Sequence, residues 1–148
     1  MIRPPVYDPS APIVVIDIGN TTIGVATWHL GQVKSALSTP TADAAAFERS
    51  MAAHREASSD GRLAAAVISS VVPQALDQVR DAISAALDQE PLVIGVTIPL
   101  PMDLALSDKK SVGVDRVCQA AAAYERIQRG CTVVSFGPGV TVDLVDDD

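Results

Sequence analysis

Ile13-Val14-Val15-Ile16-Asp17-Ile18-Gly19-Asn20-Thr21-Thr22-Ile23-Gly24-Val25-Ala26-Thr27 is the stretch around which this chain is organised. Its first four residues are apolar and β-branched, the composition of a buried strand. Asp17 sets a carboxylate at the end of that run, and Gly19-Asn20 is a strong turn signal. β-Propensity resumes from Thr21 to Thr27, so the stretch reads as a strand, a tight turn and a returning strand. Such a turn presents an acid, small residues with accessible backbone N–H groups, and two hydroxyls, which suits phosphates and their metal ion. An ordinary hairpin with a polar turn accommodates the same residues, so the rest of the chain has to separate the two readings.

The opening hairpin is followed by Gln32 to Ser38, a candidate third strand entered through Gly31. Ala44 to Ala57 has helical spacing, with Thr41 or Asp43 as its cap. Leu63 to Val72 reads as a buried strand, and Pro73 is well placed to open the next helix. Gln74 to Leu87 keeps Leu76, Val79, Ile83 and Leu87 on one stripe. Leu92 to Ile98 is expected as the next strand, whereas Met102 to Val112 has no clear period. A helix follows from about Arg116 to Gln128, with Gly130 as its natural stop. Three strands, helix, strand, helix, strand is the order of an α/β layer rather than a bundle or a sandwich.

Cys131 to Val145 then repeats the opening design of apolar strand, glycine turn and β-branched return. Two such units facing each other would make a ligand site between them. Met1 to Pro12, with four prolines, reads as a loose, disordered leader. His29 and His54 have no companions that would make them ligands or bases, and Cys118 and Cys131 lack metal-ligand spacing.

Composition narrows the class. A chain of 148 residues has the length of one ordinary domain, and 48% hydrophobic content is ample for a core. With 3% aromatics, that core must come from Ala, Val, Ile and Leu. A net charge of −7 argues against a nucleic-acid partner, because nothing would neutralise a phosphate backbone. No apolar run reaches membrane-spanning length, so a soluble, cytoplasmic protein without a membrane partner is expected.

There is no Walker-type loop, no dinucleotide fingerprint, no metal-binding histidine pair and no nucleophile elbow. What remains is an ordered set: Asp17-Ile18-Gly19-Asn20-Thr21, then Gly113-Val114-Asp115-Arg116, then Phe136-Gly137 leading to Thr141-Val142-Asp143. With Ser69-Ser70-Val71-Val72-Pro73 between strand and helix, this set resembles the type III pantothenate kinases. That family belongs to the superfamily of sugar kinases, actin and chaperone ATPases, and the resemblance runs from about Ile13 to Asp148.

The resemblance implies an actin-like ATPase (RNase H-like) α/β fold with a mixed sheet flanked by helices. The first domain would cover residues 13–112, a connecting helix with the Gly-Val-Asp-Arg motif 113–130, and the start of a second, similar domain 131–148. It implies ATP-dependent phosphorylation of pantothenate, the first step of coenzyme A synthesis, with Mg²⁺ and a monovalent cation (K⁺ or NH₄⁺), in a homodimer. Asp17, Ile18, Gly19, Asn20, Thr21, Thr22, Ile23 and Gly24 would form the first phosphate loop, with Asp17 near the Mg²⁺. Gly113, Val114, Asp115 and Arg116 would line the pantothenate pocket, and Asp115 would be the general base. Phosphoryl transfer needs chiefly positioning, charge neutralisation and one proton acceptor, which these residues can supply. On its position alone, Asp115 could equally be a helix cap.

At the second phosphate loop the sequence departs from the family. Ser135 stands where an acid linked to the monovalent cation is expected, and Pro138 where a threonine would touch ATP. The family also continues for roughly another domain, so only the first hairpin of a second half is expected here. Negligible turnover by this chain follows as an expectation. The rival is a non-catalytic relative, a pseudokinase or a regulator resembling the Bvg accessory factors.

Overall fold

The computed structural model describes residues 10–57, 63–137 and 139–147. Residues 1–9, which make up most of the expected leader, and Pro138 lie outside them, as does the side chain of His54. The strands are β1 (Ile13–Ile18), β2 (Thr22–His29), β3 (Gln32–Pro40), β4 (Ala65–Ser70), β5 (Leu92–Val93), β6 (Cys131–Phe136) and β7 (Val140–Val145). The helices are α1 (Ala44–Ala57), α2 (Pro73–Leu87) and α3 (Val114–Ile127), with a short 3₁₀ turn at Lys109–Ser111.

Five strands form one sheet in the order β3-β2-β1-β4-β5. β1 runs antiparallel to β2 and parallel to β4, so the sheet is mixed. This is the helix-flanked mixed sheet of an actin-like ATPase domain. Strand geometry sends alternate residues to opposite faces. On one face Val14, Ile16, Ile18, Ile23, Val25, Ala66, Ile68 and Val93 join Phe47 and Met51 of α1 and Val79 and Ile83 of α2 in a dry core. On the other face lie Val15 and Asp17, both exposed, and Ser69, which is buried. The run 13–16 is therefore buried on one face only.

Three expectations shift. The strand expected over Leu92–Ile98 stops at Val93, because Gly95 adopts a left-handed φ of 79° and turns the chain back. Thr97 closes that turn, its Oγ1 accepting from Val93 N at 2.7 Å. α3 begins two residues before Arg116 and stops before Gly130, since Gln128 takes the left-handed cap (φ 55°) and donates its N–H to Tyr124 O at 2.7 Å. Of the two candidate caps for α1, Asp43 is the one used, its Oδ1 accepting from Ala46 N at 2.8 Å.

β6 and β7 form a separate two-stranded sheet. Their register reproduces the opening hairpin with one fewer residue in the turn: Ile18 pairs with Ile23, and Phe136 with Val140. Val134, Phe136, Val140, Val142 and Leu144 thus take the places of Ile16, Ile18, Ile23, Val25 and Thr27. The first set is 46–84% exposed and the second at most 7%. Among the described residues no helix is long and apolar enough to cross a membrane.

Candidate functional site

Parallel β1 and β4 end at the same level, and in open α/β sheets ligands gather at the carboxyl ends of strands. Asp17 lies directly opposite Ser69 in that register and opposite Gly24 on β2. A Cβ at Gly24 would meet nothing within 4 Å, so the sheet surface beside Asp17 is open. Although Asp17 as a residue is exposed, partial burial of its carboxyl raises the pKa, the Ser69 hydroxyl lowers it, and the charge of Asp115 raises it further. The charges of Asp17 and Asp115 therefore stand close enough to act on one another.

Asp115 lies in the first turn of α3, whose N-cap is Gly113 without a side-chain capping bond. The alternative of Asp115 as the cap is thus not realised. Its carboxylate folds back over Gly113, where an added Cβ would stand 2.3 Å from Asp115 Oδ1 and 3.1 Å from Val71 Cγ1. Only a residue without a side chain lets the acid sit there. The N-terminus of a helix also favours a negative charge in its first turn.

Cys118, one turn along α3 from Asp115, stands near the same groups. Burial pushes its thiol pKa up, Ser69 lowers it, and Asp17 and Asp115 raise it. Ser69 is 7% exposed and its Oγ has no hydrogen-bond partner of normal geometry among the described residues, although it stands close enough to influence both neighbours. The sequence reading missed Ser69 and Cys118 as site residues. The i, i+3 spacing from Asp115 was the available signal for Cys118; Ser69 was quoted within the motif between strand and helix, but only the strand register sets it beside Asp17.

The turn after β1 is exposed at Asn20, Thr21 and Thr22. Gly19 N donates to Thr22 O at 2.9 Å, and a Cβ at Gly19 would press on that oxygen at 3.2 Å. Ile18 and Ile23, included in the expected phosphate loop, send their side chains into the core, leaving only backbone for any ligand. Mg²⁺ commonly takes one or two carboxylates, with phosphates and water completing its shell. Asp17 at an open rim fits that pattern, and no cluster of three His, Cys, Asp or Glu occurs among the described residues.

Arg116 pairs with neither Asp17 nor Asp115. Its guanidinium grips Asp143 on β7 through Nε–Oδ2 at 3.1 Å and Nη2–Oδ1 at 2.5 Å. Ser135 Oγ donates to Gln119 Oε1, and Thr141 Oγ1 is buried without a hydrogen-bond partner among the described residues. With Ser135 engaged and Asp143 paired to Arg116, the residues there do not fit a monovalent-cation site. A groove of about 590 Å³ opens between Met102, Leu104, Arg116, Val117, Val142 and Asp143, and neither Asp17 nor Asp115 lines it. His29 is engaged structurally, its Nε2 lying 2.8 Å from Ser10 O.

Comparison with known proteins adds family evidence. The family model described as type III pantothenate kinase matches residues 13–148. A type III pantothenate kinase of Thermomicrobium roseum is 30% identical over 145 residues, covering 92% of this chain and 54% of the relative. One of Syntrophotalea carbinolica is 31% identical over 140 residues, with 90% and 54% covered. One of Dehalococcoides mccartyi is 26% identical over 144 residues, with 91% and 53% covered. The chain thus spans about half the length of the curated relatives it matches.

Proposed function

The chain belongs to the type III pantothenate kinase family, and we propose that it takes part in ATP-dependent phosphorylation of pantothenate, the opening reaction of coenzyme A synthesis. What supports this reading is that Asp115, packed over Gly113 and Val71, lies by the carboxyl ends of β1 and β4, close enough for its charge to act on Asp17, beside an exposed glycine turn. In the proposed reaction the turn from Gly19 to Thr22 receives the triphosphate. Asp115 accepts the proton of the pantothenate hydroxyl as its oxygen bonds to the γ-phosphorus and ADP leaves. A divalent cation held by Asp17 with the phosphates would neutralise their charge. Val114 and Gly113 shape the approach to Asp115, and the groove at Arg116 has the size of a small-molecule site. Localisation in the cytoplasm and a homodimeric state accord with this reading.

The experiment is a coupled assay of ADP release with Mg²⁺, ATP and pantothenate, run beside Asp115→Asn. Release that is slow against the roughly 1 per second of an ordinary kinase, strictly dependent on pantothenate and abolished by the substitution, is the expected result. Absence of both turnover and saturable binding of either ligand would overturn the proposal. Ser135, bonded to Gln119 where the family resemblance calls for an acid, favours one second reading: a non-catalytic relative. Its mark would be stabilisation by the ligands without any ADP release.

A further inference from the structure

Thr41 offers a helix-cap chemistry that the fold does not use; Asp43 performs that task. Thr41 instead reaches back to the turn after β1 through two bonds. Its Oγ1 donates to Gly19 O at 2.8 Å, and its backbone N donates to Thr21 O at 2.9 Å. The two accepting carbonyls flank Asn20, at the apex of the turn. A residue 21 positions on from the apex thus grips both of its shoulders.

A trans peptide is planar, so each C=O points opposite to the N–H of the following residue. Holding Gly19 O towards Thr41 turns the Asn20 N–H away from it, and holding Thr21 O does the same for the Thr22 N–H. Thr41 follows β3, at the far edge of the sheet from β4. Both N–H groups therefore point away from β3, the Thr22 N–H towards Gly19 at the end of β1 and the Asn20 N–H outward past β1, while Val71, Gly113 and Asp115 cluster beyond the end of β4. Backbone N–H groups gathered on one side of a turn can favour an anion there. Without the clamp, a loop containing Gly19 could rotate these peptides at little cost.

We infer that Thr41 is a positioning residue for phosphate, fixing the Gly19–Thr22 turn so that the Asn20 and Thr22 N–H groups are held away from β3. This rests on the phosphate-loop reading proposed above and adds a residue outside the loop itself. Thr41 touches no reacting atom; its influence passes through two carbonyls. Within that role the hydroxyl is the replaceable half of the clamp, because every residue but proline supplies the N–H.

The test uses the whole chain with Thr41→Val, which keeps the shape and removes the hydroxyl, and Thr41→Ser, which restores it. Mg-ATP and Mg-tripolyphosphate are titrated by calorimetry, and the loop amides are followed by NMR. Thermal unfolding accompanies each variant. Expected are a tenfold or greater loss of affinity for both probes in Thr41→Val, recovery to within threefold in Thr41→Ser, and displaced Asn20 and Thr22 amide resonances in Thr41→Val only. A merely structural threonine would lower the unfolding temperature and leave both affinities in place. Parent chain and Thr41→Val binding the probes equally would overturn the clamp while leaving the kinase reading intact. A parent chain that binds neither probe would remove the phosphate-loop reading, and the clamp with it. If Thr41→Val fails to fold, Thr41→Ser and Thr41→Ala are compared by the same NMR readout, and identical loop resonances in the two would overturn the inference.

Discussion

Arg116 and Asp143 are locked together by two parallel contacts across 27 residues of sequence, tying α3 to β7. Their side chains are 31% and 20% exposed, so solvent weakens the pair without dissolving it. Asp143→Asn should cost about 1–2 kcal/mol, the range of a charge-assisted hydrogen bond discounted for exposure. Arg116→Lys should cost a similar amount, because an ammonium cannot reproduce a fork. Unfolding curves at low and at 1 M salt check this: the loss should shrink at high salt, and a salt-independent loss would rule out the ionic explanation.

Gly113→Ala separates stability from site geometry. The new methyl would meet Asp115 Oδ1, the mobile end of a side chain, and the carboxylate can swing aside. Stability should therefore fall by only about 1 kcal/mol, within the ordinary range for a single substitution, while displacement of a reacting group by about 1 Å can cost a hundredfold in rate. Pantothenate-dependent ADP release should drop at least tenfold in a protein that still unfolds cooperatively. Unchanged release would show that the position of Asp115 over Gly113 is irrelevant.

Asp17 links the site to pH. Burial raises its carboxyl pKa above the ordinary 3.8, so the folded chain takes up a proton at higher pH than the unfolded one. Within that window stability rises as pH falls, and above it the ionised carboxylate is a net cost to the fold. Asp17→Asn should accordingly be the more stable protein at pH 7, with the difference closing as pH is lowered through the window towards 3.8. Melting temperatures of both proteins from pH 3 to 8 decide it. A less stable Asp17→Asn at pH 7 would contradict the burial argument.

The β6–β7 hairpin should be the least protected of the described strand pairs. Phe136 and Leu144 are each 84% exposed, and both hairpin edges lie outside the five-stranded sheet. Such surfaces invite association or fraying. Hydrogen exchange at Val133 and Val142 should be much faster than at Val14 and Ile16, and Phe136→Ser with Leu144→Lys should reduce self-association without lowering the unfolding temperature. Protection equal to that of β1 would refute the expectation.

Much of this was legible in the residues. A β-branched run ending in an acid and a glycine turn announced β1, and the 3.6-residue stripe of Leu76, Val79 and Ile83 announced α2. Local chemistry could not choose between Thr41 and Asp43 as a cap, because both can accept from a helix N–H and only the path of β3 decides which does. Leu92–Ile98 had the composition of one strand, yet a single left-handed glycine divides it. Ser69 was invisible as a neighbour of Asp17, since parallel register joins residues 52 positions apart with no local mark. The apolar runs at 131–136 and 140–145 read as sheet interior, but hydrophobic pattern reports what a strand can bury and not whether anything covers it.

β1 serves two masters on alternate residues. Ile16 and Ile18 are fully enclosed, and Asp17 between them carries a carboxylate of the candidate site. Mutational tolerance along this strand is therefore not a property of single positions. A smaller residue at Ile16 would let the backbone settle into the vacated space, and the same settling would move Asp17 relative to Asp115. Variants selected only for thermal robustness at Ile16 or Ile18 would drift in chemistry, and variants selected only for chemistry would drift in robustness. An engineer working on this chain gains independence by leaving β1 alone and altering α1 and α2, which meet the core from the opposite face.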